Sequence, residues 1–200
     1  MNLRMFFITT ILLLNLSCIS EETKYNIQKD KIYLIFRGNK TEKTSILVGK
    51  YNLVNQDISH VGILLYNNMW QVYHIYDTPN NSDIITDNIS SFLENSDRKI
   101  IFQIDNINKT CILDKIETLI KKDTKFDKFF NLESDNKLYC SEFIVDIFNN
   151  CNVSTQNLMY TKKLPPLHAT ILKRDSLKYY PVDSFLEKTR GNIVYDKKLK

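Results

Sequence analysis

Glycine and proline are scarce in this 200-residue chain, with four of each, and the sequence contains no linker, internal repeat or heptad array. Nothing in it therefore marks a domain boundary. The roughly 180 residues that follow the N-terminal segment suit one domain with a sizeable core. Asn, Lys and Ile are abundant, a bias that we attribute to low-GC coding rather than to function.

Clusters of like charge are also absent. The formal net charge is +4, and the 27 Lys and Arg residues are interspersed with 23 Asp and Glu residues. A nucleic-acid groove requires clustered Lys and Arg, so we predict no nucleic-acid partner. The basic residues at 197–200 are interpreted as a solvated tail.

Metal-ligand spacings are missing too. The four cysteines and three histidines include neither a Cys-x-x-Cys nor a His-x-x-x-His spacing. Short spacings of this kind are typical of zinc sites. We therefore predict no metal site and no organic cofactor.

One apolar run stands out, at the N-terminus. Arg4 precedes the apolar residues 5–14, which fall short of the roughly 18 expected of a spanning helix. A short apolar core with a positive flank indicates an export signal. The residues that end this segment, Asn15-Leu16-Ser17-Cys18, resemble a bacterial lipoprotein cleavage and lipidation site.

These features predict three parts of the chain. Residues 1–18 are expected to be a signal peptide ending at a lipidated Cys18, residues 19–28 a short tether, and residues 29–200 the folded domain. An ordinary cleaved signal peptide and an uncleaved anchor are the alternatives. In each case we expect an exported protein, and lipidation would make it a membrane-anchored bacterial lipoprotein of the periplasm or cell surface.

Cys140 is a candidate nucleophile at the start of a predicted helix. A polar, turn-like run precedes it, and Phe143, Ile144 and Ile147 follow at three, four and seven positions, so the sulfur shares the apolar face of that helix. Unsatisfied N–H groups and the helix dipole favour a thiolate at this position. The alternative is that Cys140 is a small buried core residue.

His60 and His74 lie on two strands of a predicted hairpin. Residues 57–66 read as a buried strand, and Gly62 within it is typical of a close approach by another backbone. His60 could serve as a general base there, or be a hydrogen-bonded core histidine. In residues 69–77, strand alternation turns His74 inward, where it could hold His60 in the useful tautomer.

The remaining segments are assigned to scaffold. Residues 84–93 predict a turn and a short helix, residues 99–104 another strand, and residues 112–120 an amphipathic helix. His168, in a predicted loop beside two prolines, is a rival base. We rank it below His60 because it lacks the strand context.

This order of strand histidine, next-strand polar residue and helix cysteine resembles the circularly permuted papain-like amidases and peptidases, the YiiX/YebB-like relatives of the NlpC cell-wall hydrolases. The matching pieces are residues 59–63, the strand with His74, residues 126–130 and residues 139–143. The resemblance implies that Cys140 is the nucleophile, His60 the general base and His74 the residue that orients it. It also implies that Tyr139 lines the oxyanion or substrate site; the alternative is that Tyr139 is a packing aromatic of the core.

Two departures from the family pattern concern substrate contacts. Lys29-Asp30-Lys31 lacks the glycine that often precedes the aspartate before the first strand, and Phe126 stands where a tyrosine is common. Neither change touches the three proposed catalytic residues.

Cysteine counting adds one constraint. Lipidation or cleavage accounts for Cys18 and leaves Cys111, Cys140 and Cys151, an odd number for an exported protein. A disulfide between Cys111 and Cys151 would leave Cys140 free, as catalysis requires. Three packed cysteines in a reducing niche fit the sequence equally well.

The expected fold is α+β and circularly permuted papain-like (NlpC-type), with a small antiparallel sheet packed against the helix that carries Cys140. The expected function is an exported cysteine hydrolase that cleaves amide or ester bonds through a thioester, acting on cell-envelope peptides or N-acyl compounds. The alternatives are a lipid acyltransferase or deacylase, and a non-catalytic, lipid-anchored binding module. The module predicts a buried, unreactive Cys140 with an ordinary or raised pKa.

Overall fold

The computed structural model describes residues 20–54, 56–77, 83–134 and 136–199. The predicted signal peptide and Cys18 lie outside these ranges. Within them, a large antiparallel sheet contains β1 (Ile32–Gly38), β2 (His60–Asn67), β3 (Met69–Ile75), β4 (Ile84–Asp87), β5 (Arg98–Ile104) and β10 (Gly191–Lys198). Two small sheets pair β6 (Lys125–Phe126) with β7 (Lys137–Leu138) and β8 (Tyr160–Lys163) with β9 (Ser176–Tyr179).

The helices surround this sheet. They are α1 (Glu21–Tyr25), α2 (Lys43–Gly49), α3 (Ile89–Phe92), α4 (Lys109–Lys121), α5 (Cys140–Asn150), α6 (Pro166–Leu172) and α7 (Ser184–Lys188). None of the helices in the described ranges is long and apolar enough to cross a bilayer.

The main sheet has the strand order β10-β5-β1-β2-β3-β4, with every neighbouring pair antiparallel. Its central strand β1 is apolar on both faces because each face is covered. Leu34 and Phe36 face the core beneath α5, whereas Tyr33 and Ile35 face a second core that includes Phe92 of α3. The predicted α+β class is confirmed, and the sheet has six strands. The sequence prediction missed one of them, β4, which pairs with β3 at the edge of the sheet.

Helix α5 packs on β2 and β3 through the apolar stripe that the sequence predicts. Phe143, Ile144 and Ile147 are fully buried in the core. At the far end of α5, Cys151 forms a disulfide with Cys111 of α4. The pairing that leaves Cys140 free is therefore the one found in the structure.

The predicted tether, residues 19–28, is instead largely part of the folded domain. Ser20 caps α1 by accepting a hydrogen bond from the Thr23 N–H, and the Tyr25 ring packs edge-on against Tyr195 at 5.0 Å. Tyr25 and Ile27 are buried in the second core. Burial of these two side chains explains the difference, because the apolar area removed from water stabilises the segment against the sheet.

Candidate active site

His60 begins β2, and His74 lies on the adjacent strand β3. Their ring nitrogens, Nε2 of His60 and Nδ1 of His74, are 2.9 Å apart. Gly62 makes this approach feasible, since a Cβ atom there would lie 3.2 Å from the His74 Cβ and 3.1 Å from the Tyr73 carbonyl oxygen. The close backbone approach that this glycine predicts is present.

Asp87 is hydrogen-bonded to His74 and so joins the His60–His74 pair. It ends β4, and its Oδ2 lies 3.1 Å from Nε2 of His74. The sequence prediction missed this residue because it assigned residues 84–93 to a turn and a short helix. The β-branched run Ile84-Ile85-Thr86 before a helix-capping Asn88 was the available signal for a strand followed by a helix.

The carboxylate fixes the proton positions along this chain. A carboxylate accepts, so the His74 Nε2 must donate to Asp87, and the His74 Nδ1 of a neutral ring is then an acceptor. His60 consequently donates through Nε2, and its Nδ1 carries a free lone pair. The arrangement Asp87–His74–His60 thus orients two imidazoles so that the second can act as a base.

Cys140 is the first residue of α5 and is only 5% exposed. Burial raises the pKa of its thiol to about 11, and the backbone N–H groups of Val61, Ser141 and Cys140 oppose that rise without cancelling it. Helix α5 begins at Cys140, as the sequence predicts. The effect of burial on the thiol pKa is, however, larger than the opposing effect of the helix N-terminus, which favours a thiolate. The resting sulfur is therefore a protonated thiol at neutral pH.

The two imidazoles are also neutral. Burial, followed by the charges of His74 and Arg37, holds the pKa of His60 well below its usual value. Burial lowers the pKa of His74 to about 4, although the hydrogen bond to Asp87 acts in the opposite direction. Both rings pack against Phe92, with ring centres 5.7 Å and 4.9 Å from it.

Cys140 and His60 line the same cavity, but no hydrogen bond joins the sulfur to the imidazole in the described part of the chain. The structure therefore brings His60 and His74 into direct contact and brings Cys140 to the same space. In enzymes without substrate, catalytic hydrogen bonds are commonly longer than in the substrate complex. We therefore expect the distance between the Cys140 sulfur and the His60 imidazole to shorten when substrate binds.

Tyr139 precedes the sulfur and is buried among Phe130, Leu177 and other apolar side chains. Its hydroxyl accepts a hydrogen bond of 2.9 Å from the Tyr180 N–H, and its own N–H donates to Glu142 at 3.3 Å. Tyr139 therefore holds the loop at residue 180 against the start of α5 and lines the cavity beside Cys140.

His168 lies on α6 rather than in the predicted loop. Its Nδ1 is 2.6 Å from the Tyr51 hydroxyl, and the two rings stack. It lines a cavity that Cys140 borders, but His60 does not belong to that lining. The structure therefore separates this rival base from the His60–His74 pair.

Two cavities meet at Cys140. The first, of about 510 Å³, is named the polar groove; its lining includes His60, Arg37, Ser59 and Asn95. The second, of about 250 Å³, is named the apolar pocket and is lined largely by aliphatic and aromatic side chains, among them Leu172, Leu177 and Phe130. Both cavities therefore adjoin the sulfur, and the one that His60 lines has the more polar lining.

Comparison with known proteins extends this description. Residues 34–194 match the model of the peptidase C92 family, described as permuted papain-like amidase enzyme, YaeF/YiiX. Among solved structures, the metalloprotein yiiX from Escherichia coli O157:H7 has a TM-score of 0.60 and 15% sequence identity, covering 87% of this chain and all of that one. At this identity the likeness concerns the fold. A search of curated proteins found no significant match.

That structural neighbour is described as a metalloprotein. Within the described ranges, no group of three or more His, Cys, Asp and Glu side chains could hold a metal ion. The residues that the structure describes therefore do not fit a metal site.

Proposed function

Because the chain belongs to the permuted papain-like amidase family, confirming the resemblance seen in the sequence, we propose that it is a cysteine hydrolase that uses Cys140 and His60. One observation carries the proposal: Asp87 and His74 orient His60 at a cavity that Cys140 also lines. Family membership supports an amidase or peptidase, and the residue roles are our assignment.

The reaction begins from the neutral pair. His60 takes the thiol proton through Nδ1 as the sulfur attacks the carbonyl carbon, so that an S–C bond forms and the carbonyl electron pair moves to oxygen. Backbone N–H groups at the start of α5 stabilise this oxyanion. The oxyanion then collapses, the bond to the leaving nitrogen or oxygen breaks, and the His60 imidazolium protonates the leaving atom.

A thioester on Cys140 remains after the leaving group departs. Water attacks this thioester while His60 accepts one of its protons, and collapse of the second oxyanion releases the acid and returns the proton to sulfur. His74 accepts the hydrogen bond of the His60 Nε2–H throughout. Asp87 favours the positive charge that forms on the imidazoles in each transition state.

The test is hydrolysis of activated acyl esters and N-acyl amides by the full chain. We expect Cys140→Ala to abolish turnover and His60→Ala to reduce kcat/KM by about 10²- to 10⁴-fold. His168→Ala is the matched histidine control and should leave turnover of acetyl substrates within about twofold of wild type. Full activity in Cys140→Ala would exclude the proposed nucleophile.

A second candidate is the binding module with an inactive site. The burial of Cys140 and its raised pKa are what that module predicts. The oriented His60–His74–Asp87 chain argues for the enzyme, because a packing role requires no directed base. A protein that binds acyl compounds equally well with and without Cys140 and never turns them over would establish the module.

We further propose that the protein is exported and lipidated at Cys18, where it would act on peptide, N-acyl or lipid compounds of the cell envelope. The export signal in the sequence and the Cys111–Cys151 disulfide support this location, since disulfides persist in oxidising compartments. Mass spectrometry of the mature N-terminus tests it. A mature chain without diacylglyceryl-cysteine would contradict lipidation.

A further inference from the structure

Arg37 places a positive charge at the polar groove, beside the proposed base. In the antiparallel pairing of β1 with β2, Arg37 lies directly opposite His60. Side chains that oppose each other in such a pair share one face of the sheet, with Cβ atoms roughly 4.5–5.5 Å apart. Arg37, His60 and Cys140 accordingly line the same groove. The register of the two strands therefore fixes this cation next to His60.

The guanidinium of Arg37 is held by one hydrogen bond and by two aromatic rings. Its Nη1 donates to the Phe92 carbonyl at 2.9 Å, and its central carbon lies 4.9 Å from the centre of the Phe92 ring and 6.0 Å from that of Tyr76. Both rings also pack against His60, each with its centre 5.7 Å from the centre of the imidazole. These contacts orient the guanidinium before any ligand binds.

Within the described ranges, no carboxylate pairs with Arg37. Its Nε and Nη2 groups have no hydrogen-bond partner there, and the side chain is half-buried at the wall of the groove. A guanidinium is always charged and presents its donors in a planar fork that matches a carboxylate. An oriented, half-buried and unpaired fork that lines a cavity is suited to an anionic ligand.

The other charged side chains of the groove do not neutralise Arg37. Lys128 and Asp77 pair with each other at 2.7 Å. Glu42 and Glu94 line the groove but are exposed, so solvent and salt screen their charges. An anionic ligand would therefore find its strongest partner in Arg37.

The charge of Arg37 also reaches both proposed catalytic groups. Burial is the largest influence on the pKa of His60 and on that of the Cys140 thiol, and the charge of Arg37 lowers both values. An unpaired cation here opposes the imidazolium that His60 becomes in the proposed reaction. A substrate carboxylate bound to Arg37 would remove that opposition.

We propose that Arg37 is an anion-binding residue of the polar groove, and that the preferred substrate releases an amine or alcohol that bears a carboxylate near the scissile bond. The inference rests on the proposed hydrolase function, in which His60 protonates the leaving atom. Because Arg37 lies beside His60, its ligand belongs to the leaving group. An amino acid released from an N-acyl amide, or the C-terminal residue of a peptide, has this chemistry.

Substrates that differ only in charge test the proposal. The experiment measures kcat/KM of the full chain for N-acetylglycine and N-acetylglycinamide, and for the corresponding acetyl esters of glycolate and glycolamide. A hydrogen bond to a charged group is strong enough to favour the acid over the amide by roughly tenfold. The ratio of the two values cancels any effect of a variant on the groups that both substrates use.

Variants of Arg37 should change this ratio. Arg37→Gln should bring it within about twofold of unity, whereas Arg37→Lys, which keeps a point charge without the planar fork, should retain part of the preference. Arg190→Gln is the matched control and should keep the wild-type ratio, since Arg190 is exposed and lines neither cavity at Cys140. Thermal unfolding checks that each variant is folded. Equal losses for acid and amide in Arg37→Gln would reduce Arg37 to a support for Phe92 and overturn the anion site.

A second measurement does not depend on turnover: the rates at which iodoacetate and iodoacetamide alkylate Cys140, followed by mass spectrometry. The two reagents attack the same thiolate and differ in charge as the acid and amide substrates do. Relative to the urea-unfolded chain, the folded chain should favour iodoacetate by roughly tenfold, because a nearby cation raises the local concentration of an anion. Arg37→Gln should remove this preference.

The two measurements distinguish failure of the anion site from failure of the hydrolase. A preference for iodoacetate that depends on Arg37, in a chain that hydrolyses nothing, would support the anion site while the proposed function failed. Equal kcat/KM for acids and amides in an active, Cys140-dependent enzyme would overturn the anion site and retain the hydrolase. Absence of both turnover and the iodoacetate preference would overturn both.

Discussion

Removal of the Asp87 carboxylate tests whether Asp87 orients the proposed base, His60, by way of His74. The hydrogen bond from the His74 Nε2 to Asp87 spans 3.1 Å, and the Asp87 side chain is 33% exposed. A hydrogen bond to a charged group contributes about 1.5–3 kcal/mol, and partial exposure to solvent places this one near the lower end. Asp87→Ala should therefore reduce kcat/KM by about ten- to thirtyfold.

The loss of kcat/KM should be smaller in Asp87→Asn than in Asp87→Ala. Asp87→Asn retains an oxygen acceptor without the charge, and charge-assisted hydrogen bonds are about twice as strong as neutral ones, so the expected loss is about three- to fivefold. Asp30→Ala is the matched control, because Asp30 is an exposed aspartate that pairs with Lys31 and lines neither cavity at Cys140. This control should change kcat/KM by less than about twofold.

Two readouts separate positioning from a structural role. The bond to Asp87 raises the pKa of His74, so its loss should move the acidic limb of the kcat/KM profile to lower pH. In a His74→Ala background, Asp87→Ala should not lower kcat/KM further, because Asp87 contacts His74 and acts on His60 only by way of that contact. Additive losses in that double-mutant cycle, or wild-type activity in Asp87→Ala, would refute the orientation of His60 through His74.

Three further predictions concern the thiol, acid stability and the disulfide. Alkylation of Cys140, followed by mass spectrometry, should accelerate with pH towards its pKa of about 11, and a plateau near neutral pH would contradict the neutral thiol. The folded-state pKa of His74 is lowered from 6.5 to about 4, so the free energy of unfolding should fall as the pH drops from 6.5 towards 4. The slope should be at most about 1.4 kcal/mol per pH unit. In urea titrations, His74→Gln should make the free energy of unfolding less dependent on pH. Closure of a loop with a sequence separation of 40 predicts that the Cys111→Ser/Cys151→Ser double variant loses about 4 kcal/mol of unfolding free energy, with turnover retained wherever it remains folded.

The positions of Cys140, His60 and His74 could be predicted from the sequence, because they depend on periodic patterns of apolar residues. The apolar stripe of Phe143, Ile144 and Ile147 places Cys140 at the inward start of a helix, and strand alternation places His74 inward beside His60. These are local periodicities, so one segment suffices to read them. The α+β class and the family resemblance follow from the order in which these segments occur.

The properties that depend on distant segments could not be predicted. The contact of Asp87 with His74 requires β4 to pair with β3. The Pro- and Asn-rich residues 78–82 between them indicate a turn or loop but do not specify that the flanking segments pair. The raised pKa of Cys140 is a consequence of burial by several elements, which no local pattern contains. The apolar pocket likewise combines α2, α6 and β9, three elements widely separated in sequence.

The disulfide has a consequence for how the protein matures. Three thiols permit three pairings, and loop closure alone favours the shortest loop, from Cys140 to Cys151. Once α5 has formed, however, eleven positions along a helix separate these two residues by about 16 Å, more than twice the roughly 7 Å limit for a disulfide. Formation of helix α5 before oxidation therefore excludes the Cys140–Cys151 pair. Because the Cα atom of Cys111 lies 5.8 Å from that of Cys151, Cys111 is also at least about 10 Å from Cys140 once the helices have packed, so the proposed nucleophile stays out of a disulfide.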